Sequence, residues 1–170
     1  MQLHSTEVVM VQSKPDSEGG HEVVNEKLKT LRNQMKLGGG EKRIIAQHDK
    51  GKRTARERID ALLDKGSFHE LNGMMINRHM DFGMEKNKDL GDGLVAGFGK
   101  INGRKVCVYA QDFTVMGGSF GEVCGQKVAR VVDLAMDAGV PVIGINDGAG
   151  ARIQEGVYSL WAYGEVFYRN

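Results

Sequence analysis

The stretch LVAGFGKINGRKVCVYA, residues 94–110, gives the clearest indication of the fold, because it contains two short runs of strand-forming residues joined by an Asn-Gly pair. Asn102 and Gly103 both accept positive φ, which the two central residues of a type I′ turn require. The flanking runs, residues 95–101 and 104–110, carry the valine, isoleucine, phenylalanine and tyrosine typical of strands. The sequence therefore predicts a β-hairpin here.

A helix and a further strand follow the hairpin. After a glycine-rich loop over residues 111–122, apolar residues recur at helical spacing before a stop at Gly139. Residues 141–145, Pro-Val-Ile-Gly-Ile, then form a continuous apolar run, which is typical of a strand buried on both faces. Strand, helix and buried strand make a βαβ crossover, so we expect an α/β fold whose sheet is parallel at least in part. The helical stripe consists of Val128, Val131, Val132, Ala135 and Met136.

The residues directly after that buried strand are the main candidate for a ligand site. Residues 146–156, Asn-Asp-Gly-Ala-Gly-Ala-Arg-Ile-Gln-Glu-Gly, follow its carboxyl end and lead into a last helix from Val157 to about Tyr168. Open α/β sheets bind ligands at this edge. The small residues at 148–151 would let backbone N–H groups face a ligand at the helix N-terminus, where an oxyanion or a phosphate is favoured.

Residue types alone leave three interpretations of this turn. Ala151-Arg152 stands where a P-loop needs Gly-Lys-Ser or Gly-Lys-Thr, which argues against ATP binding of the Walker type. Gly148 and Gly150 fit a Rossmann fingerprint, but Ile153 stands where Gly or Ala is required. A tight strand-to-helix turn without any ligand explains the residue types equally well, since glycine turns are common. The chain also lacks an obvious side-chain nucleophile or base, which indicates that a cofactor supplies the proton chemistry.

The region before the sheet is predicted to hold an extension and two helices. Residues 1 to about 22 show neither helical nor strand periodicity, so we expect a flexible N-terminal extension. Apolar residues at helical spacing from Val24 to Met35 then predict an amphipathic helix, which the glycines at 38–40 end.

The second of these helices begins at a capping box. Thr54 can accept a hydrogen bond from the amide of Glu57, whose side chain reaches back, and Gly66 is expected to provide the left-handed stop. Basic residues are frequent around it, and a solvated helical face is the simplest explanation. A site for the phosphate groups of a small ligand is the second interpretation and nucleic acid the third. The basic residues are Lys42, Arg43, Lys50, Lys52, Arg53, Arg56 and Arg58.

Composition and charge exclude several classes of protein. Lys+Arg 23 against Asp+Glu 22 in 170 residues leaves a net charge of +1, so no overall field attracts nucleic acid or a membrane. Hydrophobic residues at 41% and charged residues at 26% argue against a disordered, coiled-coil or collagen-like chain. Cys107 and Cys124 are expected to be reduced and buried, with no metal site. No stretch is long enough to cross a bilayer and no transit peptide is apparent, so a cytoplasmic location is expected.

Five motifs in order make the chain resemble a known family. The resemblance runs from about residue 25 to Asn170 and is to the carboxyltransferase subunits of biotin-dependent acyl-CoA carboxylases and decarboxylases. Among these, the chain is most similar to propionyl-CoA carboxylase β and methylmalonyl-CoA decarboxylase α subunits. The motifs are GGGEKR at 38–43, GKRTARERI at 51–59, GDG at 91–93, QDFTVMGGS at 111–119 and DGAGARIQEG at 147–156.

The resemblance implies a fold and a reaction. The fold would be crotonase-like (ClpP/crotonase), built from ββα units, with this chain forming an incomplete N-terminal half of a carboxyltransferase subunit. Carboxybiotin on a separate carrier protein would lose CO2, and its ureido nitrogen would take the α-proton of an acyl-CoA. The resulting enolate would attack CO2. The cofactor would therefore be biotin, with a CoA thioester as substrate and no metal in this chain.

The resemblance also assigns residues to the site. The backbone amides that stabilise the enolate fall on Ala149 and Gly150, where this chain departs from the family pattern. Ala149 replaces the first of two glycines, and Gly148 replaces a serine. An alanine can still donate its N–H if its φ is negative, whereas a positive φ would cost about 1 kcal/mol or more. The residues expected to bind substrate are Gly117, Gly118, Ser119, Gly148, Ala151 and Arg152.

The length of the chain differs from that of the family, whose members are longer and have two crotonase-like halves. We expect a flexible extension at 1–22, a helical segment at 23–66 and a partial acyl-CoA carboxyltransferase domain at 67–170, which would be inactive alone. The expected partners are acyl-CoA, a biotin carboxyl carrier protein with a biotin carboxylase or membrane decarboxylase subunits, and further copies of the full-length subunit. Nucleic acid binding and membrane insertion are not expected. The alternative is a non-catalytic CoA-binding or subunit-assembly module derived from that family.

Overall fold

The fold is a four-stranded sheet with helices on both faces. The computed structural model describes residues 18–170, with side chains from residue 21. The helices are α1 (Glu18–Lys36), α2 (Glu41–His48), α3 (Ala55–Leu62), α4 (Glu122–Ala138) and α5 (Val157–Arg169). The strands are β1 (His69–Leu71), β2 (Leu94–Ile101), β3 (Arg104–Gln111) and β4 (Val142–Ile145). Short 3-10 helices lie at Met84–Lys86, Met116–Gly118 and Ile153–Glu155.

The sheet has the order β1-β2-β3-β4 and contains the predicted hairpin. β1 pairs with β2 and β2 with β3 in antiparallel fashion, whereas β3 pairs with β4 in parallel. Asn102 and Gly103 take φ values of 49° and 78°, and the carboxylate of Asp64 accepts hydrogen bonds from both of their amides at 2.9 and 2.8 Å. The parallel pair and the α4 crossover confirm the predicted βαβ connection.

The two faces of the sheet are covered by different helices. On one face, α4 and α5 pack over β2 and β3 around Leu94, Cys107, Val128 and Val131. On the other face, α3 packs over the alternate residues of the same strands, because successive side chains of a strand point to opposite sides. The sheet interior is therefore apolar on both sides, and each buried leucine- or valine-sized side chain contributes about 1.5–3 kcal/mol.

Several local signals in the sequence are confirmed. Thr54 and Glu57 form the capping box at the start of α3. Gly139 caps the C-terminus of α4 with φ 63°. Both cysteines are free and buried, as expected for structural thiols. None of the described helices combines the length and apolar composition that crossing a bilayer requires.

The prediction of two helices before the sheet is wrong, because α2 is a third. Its buried residue is Gln47, 3% exposed, while Ile45 is exposed, so the apolar spacing that identifies a helix is missing. α3 ends at Leu62, and Gly66 lies in the turn beyond it at φ 74°. The predicted stop at Gly66 is therefore four residues late.

Strand β4 and the start of helix α1 also differ from the predictions. β4 is partly exposed, so the prediction that it is buried on both faces is wrong: it pairs only with β3 among the described strands. α1 begins at Glu18, inside the stretch predicted to be a flexible extension of residues 1–22. Residues 1–17 lie outside the described residues, and the division into three segments stays a prediction.

Candidate functional site

The two glycine-rich loops of the chain meet at one edge of the sheet. The first follows β3 and the second follows β4, and since these strands are parallel, their carboxyl ends lie side by side. The Ala149 amide donates to the Gly117 carbonyl at 3.1 Å, and the Phe120 amide donates to the Gly150 carbonyl at 2.8 Å. Phe120 also forms an isolated parallel bridge with Ala151. The predicted site residues 117–119 and 148–152 are therefore in contact.

The contact between the loops depends on residues without side chains. Gly117 and Gly118 both have φ 64°, and Gly150 has φ 92°, a region that residues with a Cβ rarely adopt. A Cβ at Gly118 would overlap the carbonyl oxygen of Asp147, and one at Gly148 would overlap the carbonyl oxygen of Gly118. The two backbones thus pass each other at a distance that only glycine allows.

One side chain ties the two loops together. The Gln111 carboxamide nitrogen donates to the Gly118 carbonyl at 3.3 Å, while its oxygen accepts from the Asp147 amide at 2.9 Å. Gln111 is buried, and its hydrogen bond to Gly118 is shielded from water. The motif at 111–119 contains Gln111, but the residue type alone does not predict this role. Its position as the last residue of a strand that precedes a glycine loop was the available signal.

The environment of the two expected enolate donors differs from the prediction. Residues 148–151 do not open α5 directly, because an extended segment and a 3-10 helix at Ile153–Glu155 separate them from it. The prediction that these amides lie at a helix N-terminus is therefore wrong. Ala149 does not have positive φ, so the alanine is accommodated without strain. Its N–H is bonded to Gly117, whereas the Gly150 N–H donates to no other described residue.

Arg152, expected to bind substrate, lies entirely inside the protein. Its side chain has 0% exposure. One guanidinium nitrogen donates to the carboxylates of Asp92 and Glu155 at 2.6 and 2.8 Å. The others donate to Ser119 Oγ at 3.2 Å and to the carbonyls of Asp92 and Ser119. This burial argues against a direct contact between Arg152 and a substrate. The residue instead orients the second glycine loop.

The Gly-Asp-Gly motif at 91–93 supplies one of the two carboxylates that pair with Arg152. All three residues have positive φ, and this bend directs the Asp92 carboxylate at Arg152. Burial raises the pKa of Asp92, although the neighbouring guanidinium opposes that effect.

Burial likewise raises the pKa of the Cys124 thiol to about 11, so this cysteine stays protonated and is not a nucleophile at neutral pH.

Three side chains from α2, α3 and their connection hold the second loop at Asp147. Lys52 Nζ lies 2.7 Å and Arg58 lies 3.7 Å from the Asp147 carboxylate, and Gln47 donates to it at 3.4 Å. Arg58 also donates to the carbonyl of Gln111 at 2.6 Å. The basic run is therefore more than a solvated face, because part of it fastens the N-terminal helices to the candidate site.

Two cavities border the glycine loops. One of about 340 Å³ is lined by Arg43, Lys50, Phe113 and Gly117 among others. Lys50 is exposed and forms no ion pair with another described residue, so its ammonium group is available to an anion. The other cavity, of about 580 Å³, lies on the side of Gly150. Residues 21–170, whose side chains the structure describes, contain no group of three or more metal-ligating side chains.

Comparison with known proteins agrees with the motifs. Residues 46–170 match the family model of the carboxyl transferase domain. The propionyl-CoA carboxylase beta chain of Roseobacter denitrificans is 57% identical over 145 residues, covering 85% of this chain and 28% of that protein. The human mitochondrial propionyl-CoA carboxylase beta chain is 54% identical over 149 residues, covering 86% and 28%. The chain thus spans little more than a quarter of the length of these relatives.

Solved structures show the same relationship. A structure of transcarboxylase 12S with methylmalonyl-CoA and methylmalonic acid bound has a TM-score of 0.85 and 43% identity, covering 92% of this chain and 30% of that one. A Pseudomonas malonate decarboxylase hetero-tetramer has a TM-score of 0.58 and 31% identity, covering 68% and 45%. The α/β architecture is therefore the expected crotonase-like fold, and the chain belongs to the carboxyl transferase family.

Proposed function

We propose that this chain supplies the acyl-CoA-binding portion of a biotin-dependent carboxyltransferase that acts on propionyl-CoA or methylmalonyl-CoA. The observation that carries the proposal is the meeting of two glycine loops beside a cation-lined cavity. The names of the relatives support propionyl-CoA, and the methylmalonyl-CoA bound to transcarboxylase 12S supports the same class of thioester.

The cavity beside Gly117 suits the anionic part of coenzyme A. Arg43 and Lys50 place two cations on its wall, while Phe113 and Gly117 form the side nearer the loops. Phosphate groups are strong acceptors for both kinds of cation. A CoA held here would direct its thioester toward the glycine loops.

The enolate would be stabilised by the backbone rather than by side chains. The Gly150 N–H is the donor that remains available, because the Ala149 N–H already bonds to the Gly117 carbonyl. A preorganised amide aimed at the thioester oxygen stabilises the negative charge that develops there. Carboxybiotin, a second substrate carried by another protein, would release CO2 and accept the α-proton on its ureido nitrogen. The α-carbon would then form the new bond to CO2.

The expected partners follow from the same proposal. A biotin carboxyl carrier protein would deliver the carboxyl group, and a biotin carboxylase or a membrane decarboxylase subunit would set the direction. Association of complete subunits into a homo-oligomer is proposed by analogy with the hexamer assembly of transcarboxylase 12S. A cytoplasmic location stays a prediction.

Replacement of Lys50 by serine tests the CoA cavity. We expect it to weaken binding of propionyl-CoA by about threefold, because one exposed cation-phosphate interaction is lost, and added salt should reduce the difference. Isothermal titration calorimetry on the 170-residue chain measures the change. Lys65→Ser is the matched control, since Lys65 is exposed and does not line this cavity. Equal affinities of the two variants, or no binding of propionyl-CoA by the parent chain, would contradict the proposed location.

A further inference from the structure

A third cavity lies at the opposite end of the sheet from the glycine loops. It has a volume of about 420 Å³, within the usual range for a small-molecule site. It lies at the hairpin end of β2 and β3, whereas the glycine loops begin where β3 ends. Its position therefore separates it from the proposed acyl-CoA site.

The cavity exists because α4 ends before it covers the sheet. α4 ends at Ala138, and the left-handed Gly139 turns the chain away toward β4. Leu134, Ala138 and Val140 form one apolar wall, and Phe98 forms part of the floor with 39% of its surface exposed. The His69 ring stacks on Phe98, with ring centroids 5.1 Å apart and an angle of 20° between the planes. The stack gives the cavity a flat aromatic side.

Two lysines border the same cavity without a counter-ion. Lys100 and Lys105 are direct cross-strand partners and lie on the same face of the sheet as Phe98. Like charges placed opposite each other in an antiparallel pair destabilise it. Neither lysine forms an ion pair with another residue of the described part of the chain. An anion bound between them would relieve this repulsion.

We propose that this cavity binds a small carboxylate with an aromatic or aliphatic body. The apolar body would lie between Leu134 and Phe98, and the carboxylate would contact Lys100 and Lys105 at the rim. The proposal combines the volume, the aromatic floor and the unpaired charges, and it does not depend on carboxyltransferase activity. Such a site would let an apolar acid bind at a distance from the glycine loops.

The test uses 4-phenylbutyrate as the probe and the neutral 4-phenyl-1-butanol as its matched control. Titration of the ¹⁵N-labelled chain, followed by NMR, is expected to shift the amides of residues 98–107 and 134–140 with both compounds. The carboxylate should bind about fivefold more tightly than the alcohol, since it gains the lysine contacts. Lys100→Ser combined with Lys105→Ser should abolish that preference while leaving the affinity for the alcohol unchanged. Lys86→Ser, at an exposed lysine outside the cavity, should retain the preference.

Four outcomes would overturn the proposal. Equal affinity for acid and alcohol in the parent chain would remove the role of the lysines. A preference for the acid that survives the double substitution would do the same. Amide shifts confined to α5 or to the glycine loops, or loss of the cavity signals through self-association as protein concentration rises, would show that the cavity is not a ligand site.

Discussion

Replacement of Arg152 by methionine is expected to destabilise the chain by about 3–5 kcal/mol, because it removes the nearest cation from two buried carboxylates. Asp92 and Glu155 are both buried, and Arg152 is the residue that pairs with each of them. A loss of this size is a large fraction of the stability of an ordinary domain. Urea denaturation monitored by circular dichroism measures it.

The pH dependence of this loss distinguishes charge from packing. Burial raises the pKa of Asp92, and the Arg152 guanidinium partly offsets this rise. Without Arg152 the pKa of Asp92 should therefore rise further. A carboxyl whose folded pKa lies above its unfolded pKa destabilises the fold once it ionises. The loss of stability caused by Arg152→Met should therefore become smaller as the pH falls. Arg169→Met is the control, since its ion pairs with Asp133 and Glu165 are at the surface, and it should change stability far less. A deficit independent of pH would mean that Arg152 acts only by filling space.

Replacement of Gly118 by alanine is expected to separate the two glycine loops. Gly117 and Gly118 share a φ of 64°, so alanine at either position carries the same left-handed backbone cost of about 1–2 kcal/mol. At Gly118 the new Cβ would also overlap the Asp147 carbonyl, whereas at Gly117 the nearest atom is Ala149 Cβ at 3.8 Å. We expect Gly118→Ala to cost about 1–3 kcal/mol more than Gly117→Ala.

The paired variants isolate the contact between the loops. Denaturation midpoints of Gly117→Ala and Gly118→Ala give the stability difference, and titration with propionyl-CoA gives the effect on binding. Gly118→Ala should lose more affinity than Gly117→Ala, because displacement of the Asp147 backbone also moves Gly150. Equal stability and equal affinity of the two variants would contradict the close approach of the loops.

Local signals in the sequence predicted the parts of the fold that depend on neighbouring residues. The Asn102-Gly103 turn, the capping box at Thr54 and the Gly139 cap each act within a few residues, and all three were correct. α2 is not predictable from apolar spacing, because its buried residue is Gln47, whose partner Asp147 lies 100 positions along the chain. Apolar periodicity cannot reveal a helix that docks through a polar side chain.

The candidate site was predictable in outline but not in its internal bonding. The resemblance assigns residues of both glycine loops to one site, and the structure brings those residues into contact. The sequence did not show that the Ala149 amide would be occupied by Gly117, nor that Arg152 would be buried. The partner of Arg152, Asp92, lies 60 positions earlier, and only the folded chain brings such residues into contact. Main-chain donors and buried ion pairs thus depend on long-range geometry.

In the proposed mode of binding, the thioester of an acyl-CoA reaches the Gly150 amide while the CoA moiety lies beside Gly117. Titration of the ¹⁵N-labelled chain with propionyl-CoA and separately with free CoA, followed by NMR, tests this mode of binding. At equal saturation, the Gly117 amide should shift with both ligands, whereas the Gly150 amide should shift only with propionyl-CoA. A Gly150 amide resonance that propionyl-CoA leaves unchanged, or that free CoA shifts equally, would contradict this mode of binding.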